Sequence, residues 1–208
     1  MSNVERQKRR VFWLKQLHQW HWISAAVCLV AMLLFSITGI TLNHAASIGA
    51  KPVVTSSDES MPAPLLAQLS KHSGSDRAPL PAPVEAWLKQ RLAVHAGGRD
   101  AEWSDDEVYV SLPRPGGDAW VSIERKSGAV HYELTNRGWV SYLNDLHKGR
   151  NAGAVWGAFI DVFAVACVLF ASTGLFLLKM NSGRRPGTWP LVALGLVLPI
   201  VLLVLFVH

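Results

Sequence analysis

Charged side chains are missing from long stretches of this 208-residue chain. Residues 20–42 and 189–207 contain no Asp, Glu, Lys or Arg, and residues 152–178 contain only Asp161. At the rise of an α-helix, each stretch is long enough to cross roughly 30 Å of hydrocarbon. The sequence therefore predicts three membrane-spanning helices.

Cysteines and the common catalytic motifs are also scarce. Cys28 and Cys167 are the only cysteines and both lie inside predicted spans, so no disulfide framework supports the soluble part. The sequence has no HExxH, CxxC or glycine-rich phosphate loop, which leaves hydrolase and nucleotide-driven mechanisms without support. Basic and aromatic residues do not interleave as they do on nucleic-acid-binding surfaces, so we expect no nucleic-acid partner.

Positive charge predicts the orientation in the membrane. Basic residues precede the first stretch and return between the second and the third: Arg6, Lys8, Arg9, Arg10, Lys15, Lys179, Arg184 and Arg185. These sides should face the cytoplasm of a bacterial cell, with the chain in the inner membrane and its C-terminus in the periplasm. A cleaved signal peptide is the alternative for the first stretch, but its apolar run exceeds the about 7 to 15 residues of such a signal.

The predicted domain organisation follows from these spans. The parts are a cytoplasmic basic segment 1–19, helices 20–44, 151–179 and 189–208, a cytoplasmic loop 180–188, and a periplasmic segment 45–150. The predicted fold class is a membrane protein of three transmembrane α-helices with a small α+β periplasmic domain inserted between helices 1 and 2.

Within the periplasmic segment, composition and periodicity predict a linker followed by a helix and a meander. Proline, serine and small residues indicate an irregular linker over 51–83, with a short helix at 65–69. A helix should begin at Pro83, with Val84, Trp87, Leu88 and Leu92 at helical spacing. Strands are predicted at 108–112, 119–123 and 129–134, and an amphipathic helix at 137–148.

Histidines at the predicted membrane edges are the candidate functional residues. His44 and His147 each lie where a span meets the periplasmic segment, and two neutral imidazoles on neighbouring helices suit the axial ligation of haem b. His18 lies 26 residues before His44, about 39 Å along a helix, so the two cannot bind one iron. His18 or His21 could serve only a second, cytoplasmic site.

The helix after His147 allows two interpretations. Ala154, Ala158 and Asp161 follow His147 on one helical face, where small side chains leave room for a macrocycle or for close helix packing. An acid at this depth costs roughly 3 kcal/mol, so Asp161 is either a proton site or a protonated structural residue.

Acidic residues at 100–107 could attract ferric iron, although a solvated loop explains them better. The other histidines, His72, His95, His131 and His208, are expected at the surface, with His208 a reserve ligand.

Several separate stretches resemble one family. Residues 118–123 and 127–130 resemble the strand-turn-strand signature of PepSY domains. Residues 17–20 (LHQW) and 146–151 (LHKGRN) resemble the starts of that family's first and second helices. A weak internal repeat, or echo, accompanies them. One Leu-His pair precedes Ser-Ile-Thr-Gly at 36–39, and a second Leu-His pair precedes Ala-Ser-Thr-Gly at 171–174. The chain thus resembles short PepSY-associated transmembrane proteins.

The resemblance implies a role in iron reduction. The wider group includes haem-b inner-membrane ferric-siderophore reductases and VciB-like iron-uptake proteins. The hypothesis is a haem-b protein that passes electrons to ferric iron or a ferric siderophore at the periplasmic face. Because no flavin or NAD motif is present, quinol or a partner redox protein would be the electron donor.

Two other functions remain open. The protein could be a non-enzymatic membrane accessory protein whose PepSY-like domain binds or regulates a partner, without haem. It could also be a component of divalent-metal or siderophore transport, but three spans with one buried acid form a poor path unless the chain forms a homo-oligomer in the lipid.

Overall fold

The computed structural model of the chain describes residues 3–49, 51–71 and 77–207, and it divides into two compact units. We call Met1–Leu34 with Ala158–His208 the helical unit, and Phe35–Gly157 the sheet unit. Helix α1 (Asn3–Asn43) contributes residues to both.

The long helices confirm the prediction of three candidate spans. They are α1, α5 (Gly153–Asn181) and α6 (Thr188–Phe206), and each is long and apolar enough to cross a membrane. Helix α1 begins at Asn3 rather than near residue 20, because residues 3–19 contain neither Gly nor Pro and are rich in good helix formers. The basic segment is therefore the first part of the same helix.

The sheet unit contains a six-stranded antiparallel sheet with the order β1-β6-β5-β4-β3-β2. Its strands are β1 (Val53–Ser60), β2 (Arg77–Pro79), β3 (Asp100–Trp103), β4 (Glu107–Ser111), β5 (Gly117–Glu124) and β6 (Ala129–Asn136). The three strands predicted from alternation correspond to β4, β5 and β6.

The predicted irregular linker over 51–83 is wrong. Strand β1 pairs with β6 along its full length, from Val53 opposite Asn136 to Ser60 opposite Ala129, and β2 pairs with β3. Both are edge strands, which can be polar because they need no second strand neighbour and little apolar surface. The short helix predicted inside that segment is confirmed as α2 (Ala63–Leu69).

One face of the sheet forms the hydrophobic core with two helices. Helices α2 and α3 (Ala82–Leu92) pack their Leu69, Val84 and Leu88 side chains against inward residues of the strands. The strand residues in this cluster include Ala101, Trp103, Val108, Val110, Val121, Ile123 and Val130. Since successive strand residues alternate between faces, the other face carries Trp120 and its neighbours. We call it the open face.

Helix α4 (Trp139–His147) is attached through polar contacts rather than through its apolar side. Asn144 and Asp145 are its buried residues, whereas Trp139 is 71% exposed. The Asp145 carboxylate accepts a hydrogen bond from the backbone N–H of Gly116 at 2.9 Å, and the Asn144 side-chain oxygen accepts one from Thr41 Oγ1 at 2.9 Å. These bonds tie α4 to the β4–β5 turn and to α1.

Replacing Asp145 should loosen this attachment. We expect Asp145→Ala to lower the free energy of unfolding by about 1 to 3 kcal/mol, because it leaves the N–H of buried Gly116 without its acceptor. Thermal unfolding of the full chain in detergent measures the change. Asp105→Ala is the matched control, since that carboxylate is exposed in the β3–β4 turn. Equal losses in both variants would contradict the assignment.

Candidate functional site

In the sheet unit, His147 packs against one face of α1. Its Nδ1 atom lies 2.7 Å from Thr38 Oγ1, and its ring centre lies 5.0 Å from that of Phe35. A Cβ atom built on Gly39 would lie 3.5 Å from His147 Cε1. The imidazole therefore rests on a surface made by Phe35, Thr38 and Gly39, which share a helix face because they are spaced by three and four residues.

In the helical unit, His21 is held by α5 in the same way. Its Nδ1 atom lies 3.0 Å from Thr173 Oγ1 and 3.2 Å from the Phe170 carbonyl oxygen. Its ring stacks on that of Phe170 with 4.7 Å between centres. A Cβ on Gly174 would lie 3.3 Å from His21 Cε1, so a larger residue would press on the ring.

The contacts at Nδ1 bear on the tautomer of both histidines. The Thr38 hydroxyl lies 3.1 Å from the Phe35 carbonyl, and the Thr173 hydroxyl lies 2.7 Å from the Leu169 carbonyl. The Phe170 carbonyl beside His21 Nδ1 can only accept, which places the proton of His21 on Nδ1. At His147 the proton lies on Nδ1 when the Thr38 hydroxyl donates to the Phe35 carbonyl rather than to the ring. In the neutral ring the Nε2 atom keeps its lone pair, and this is the atom that can bind a metal.

The two clusters share the pattern Phe-x-x-Thr-Gly, at residues 35–39 and 170–174. The sequence echo had detected the Ser/Thr-Gly part of this pattern, but it did not include the phenylalanines. It predicted no contact between a threonine and a histidine; in the structure Thr173 contacts His21. The phenylalanine three residues before each threonine was the signal that could have completed the pattern.

His18 and His44 are placed differently from the two clustered histidines. Both are exposed, and the Nδ1 atom of each bonds to a carbonyl of its own helix, that of Leu14 or of Ile40. His44 follows Thr38 by six residues, roughly 240° around the helix, so it points away from the face that contacts His147. His44 thus belongs to neither cluster, and its joint ligation with His147 stays a prediction.

The remaining candidates are dispersed. Asp161 is exposed on α5. Its role as a proton site stays a prediction. His95 is exposed and His131 contacts Asp58, whereas His72 and His208 lie outside the described residues. Within the described ranges, no group of three or more His, Cys, Asp and Glu side chains could hold a metal ion.

A comparison with models of protein families assigns this chain to a family. The PepSY_TM-like family model matches residues 12–208, which is most of the sequence and includes both histidine clusters. The chain belongs to the PepSY_TM-like family. The resemblance noted in the sequence is thereby confirmed at the level of the PepSY-associated transmembrane family. No curated protein and no solved structure matches the chain.

The PepSY_TM-like chain also has a cavity beside His21. This cavity of about 480 Å³ is lined by His21, Gly174, Leu177, Leu178, Asn181, Arg185 and Thr188. Two leucines give it apolar walls, and Arg185 adds a guanidinium group. A flat, mostly apolar ligand that carries an acidic group would match this lining.

If the imidazole–threonine bonds stabilise the fold, each His–Thr pair should show a coupling free energy of unfolding in a double-mutant cycle. In double-mutant cycles that combine His→Ala with Thr→Val, we expect coupling of about 0.6 to 1.7 kcal/mol for His21/Thr173 and for His147/Thr38. Reversible unfolding of the PepSY_TM-like protein in mixed micelles measures it. The His44/Thr38 cycle is the control and should give a value near zero. A coupling there as large as that of His147/Thr38 would refute the placement of the two rings.

Proposed function

We propose that the protein binds haem b in the membrane and transfers electrons, with His21 and His147 each offering one axial ligand to a separate haem. The observation that carries this proposal is the repeated cluster in which a threonine hydroxyl holds Nδ1 and leaves Nε2 as the ligand atom. Metal-binding histidines in proteins have this construction, because a bond to the second nitrogen orients the ring and raises its basicity.

The residues around His21 fit this group. The cavity beside it combines leucine walls with Arg185, which suits an apolar macrocycle with propionate side chains. Haem b supplies one-electron transfer at its iron when bound. Each cluster offers one imidazole, so a second copy of the chain would complete the axial coordination, consistent with a homo-oligomer in the lipid.

The acceptor in this proposal is ferric iron or a ferric siderophore, as the family resemblance implies. The sheet unit would shape the acceptor site, and quinol or a partner redox protein would supply the electrons.

A non-enzymatic accessory protein is the second candidate, favoured by the open face of the sheet, which has no helix of the described core against it. Absence of haem from the purified protein would decide for this second candidate.

Visible spectroscopy tests the haem proposal. We expect the purified protein, expressed with sufficient haem, to show a Soret band that shifts on reduction with dithionite. His21→Ala and His147→Ala should each lose much of this absorbance per folded protein, because each removes one ligand nitrogen. Gel filtration of every variant establishes that the chain is folded.

The exposed histidines provide matched controls for that experiment. His18→Ala and His44→Ala remove the same side chain from the same helix and should retain the band, since neither ring belongs to a cluster. Loss of the band in His44→Ala, with retention in His21→Ala, would instead restore the ligand pair predicted from the sequence. Absence of a Soret band in the unmodified protein would refute haem binding.

We also propose that the chain lies in a bacterial inner membrane with the sheet unit in the periplasm. The basic residues before and between the spans support this orientation. An alkaline-phosphatase fusion after residue 98 should be active, and one after residue 186 should be inactive while the corresponding green-fluorescent-protein fusion is fluorescent. The reverse pattern of activities would invert the proposed orientation.

A further inference from the structure

The open face of the sheet concentrates negative charge on a chain whose net charge is +5. By strand alternation and pairing register, seven carboxylates point to this face: Asp58, Asp100, Glu102, Glu107, Asp118, Glu124 and Glu133. Among the outward positions of the six strands, Arg77 is the only permanent cation, and it pairs with Glu102. The face therefore has a strong excess of negative charge.

Aromatic rings form a row across the middle of this acidic surface. The ring centres of Tyr109 and Trp120 lie 5.9 Å apart, and those of Trp120 and His131 lie 5.1 Å apart. All three side chains are half-buried, so part of each remains accessible. Aromatic rings of this kind attract cations that approach their faces.

The carboxylates act together on Tyr109, at one end of the row. Burial raises the pKa of Tyr109, and the negative charges of Asp118, Glu102, Glu107 and Glu133 raise it further. The strand register also places Glu107 directly opposite Glu124, so two carboxylates adjoin on this face. Glu107 accepts a hydrogen bond from Ser122 and Glu124 accepts one from Ser127, while the Lys126 ammonium, which pairs with Asp106, also attracts Glu124.

We propose that this face docks a cationic polypeptide segment of a partner protein, with lysine or arginine side chains lying over the Tyr109–Trp120–His131 row between the carboxylates. Extended basic segments match both features, because their charges complement the acidic border and their cations can stack on the rings. A cavity of about 440 Å³ at one end of the row is lined by Arg77, Glu102, Trp103, Ser104, Glu107 and Tyr109. Because Arg77 already pairs with Glu102, the carboxylate in this cavity that is left to receive a cationic side chain is that of Glu107. An anionic lipid surface would be repelled.

Binding of a fluorescent decalysine peptide to the full chain in zwitterionic nanodiscs tests the proposal. We expect saturable binding that weakens with salt, together with a change in Trp120 fluorescence, and no binding of a decaglutamate peptide. The double variant Glu107→Gln/Glu133→Gln should weaken binding by about fivefold or more, since two surface charges are lost. Trp120→Ala should also weaken it, about threefold or more, through the lost cation–ring contact.

A second double variant separates this face from general charge attraction. Glu59→Gln/Glu85→Gln removes the same charge from an inward position of β1 and from α3, and it should leave the affinity unchanged. Equal weakening by both double variants would overturn the proposal, as would equal binding of the two peptides. Self-association that disappears in Glu107→Gln/Glu133→Gln would assign the face to a second copy of this chain and would likewise overturn it.

Discussion

A polar side chain on an apolar helix must find its partner within the protein, since hydrocarbon offers none. Two imidazole–hydroxyl bonds meet this requirement here, and the histidine clusters depend on them. Thr38 and Thr173 each bond to a carbonyl of their own helix and to a histidine of another, so one short side chain fixes both a ring orientation and a helix partner. Because α1 carries His21 in one cluster and Phe35, Thr38 and Gly39 in the other, this helix is part of both.

The sheet unit separates its two kinds of surface through strand alternation. In β5, Val121 and Ile123 lie in the core while Trp120 and Ser122 point outward, so one strand supplies both packing and exposed chemistry. On the core side, α2 and α3 are joined by Met61, Leu80, Val94 and Ala96 of the connecting segments. As a result the outward positions are under no packing constraint, and a charge distribution as unbalanced as that of the open face is compatible with a stable fold.

The sequence alone predicted those helices and strands whose hydrophobic pattern reflects their own burial. Uncharged stretches identified the spans, alternation identified β4, β5 and β6, and helical spacing identified α3. Strand β1 (VVTSSDES) could not be found in this way, because a polar edge strand is specified by its pairing with β6. The burial of Asn144 and Asp145 was equally hidden, since it depends on Gly116 and Thr41. For the candidate site, the sequence offered both His18 and His21, and only the contact with α5 distinguishes the two.

The pairing of β1 with β6 also has a consequence for how the sheet unit is attached. Val53, where the chain arrives from α1, lies opposite Asn136, where the chain leaves toward α4. The sheet unit is therefore a closed loop whose two ends meet at one corner. Such an insert can be lengthened, exchanged or lost over evolution while its points of attachment stay side by side. Once the sheet has formed, it also lowers the conformational-entropy cost of bringing together the two long helices that flank it in sequence, α1 and α5.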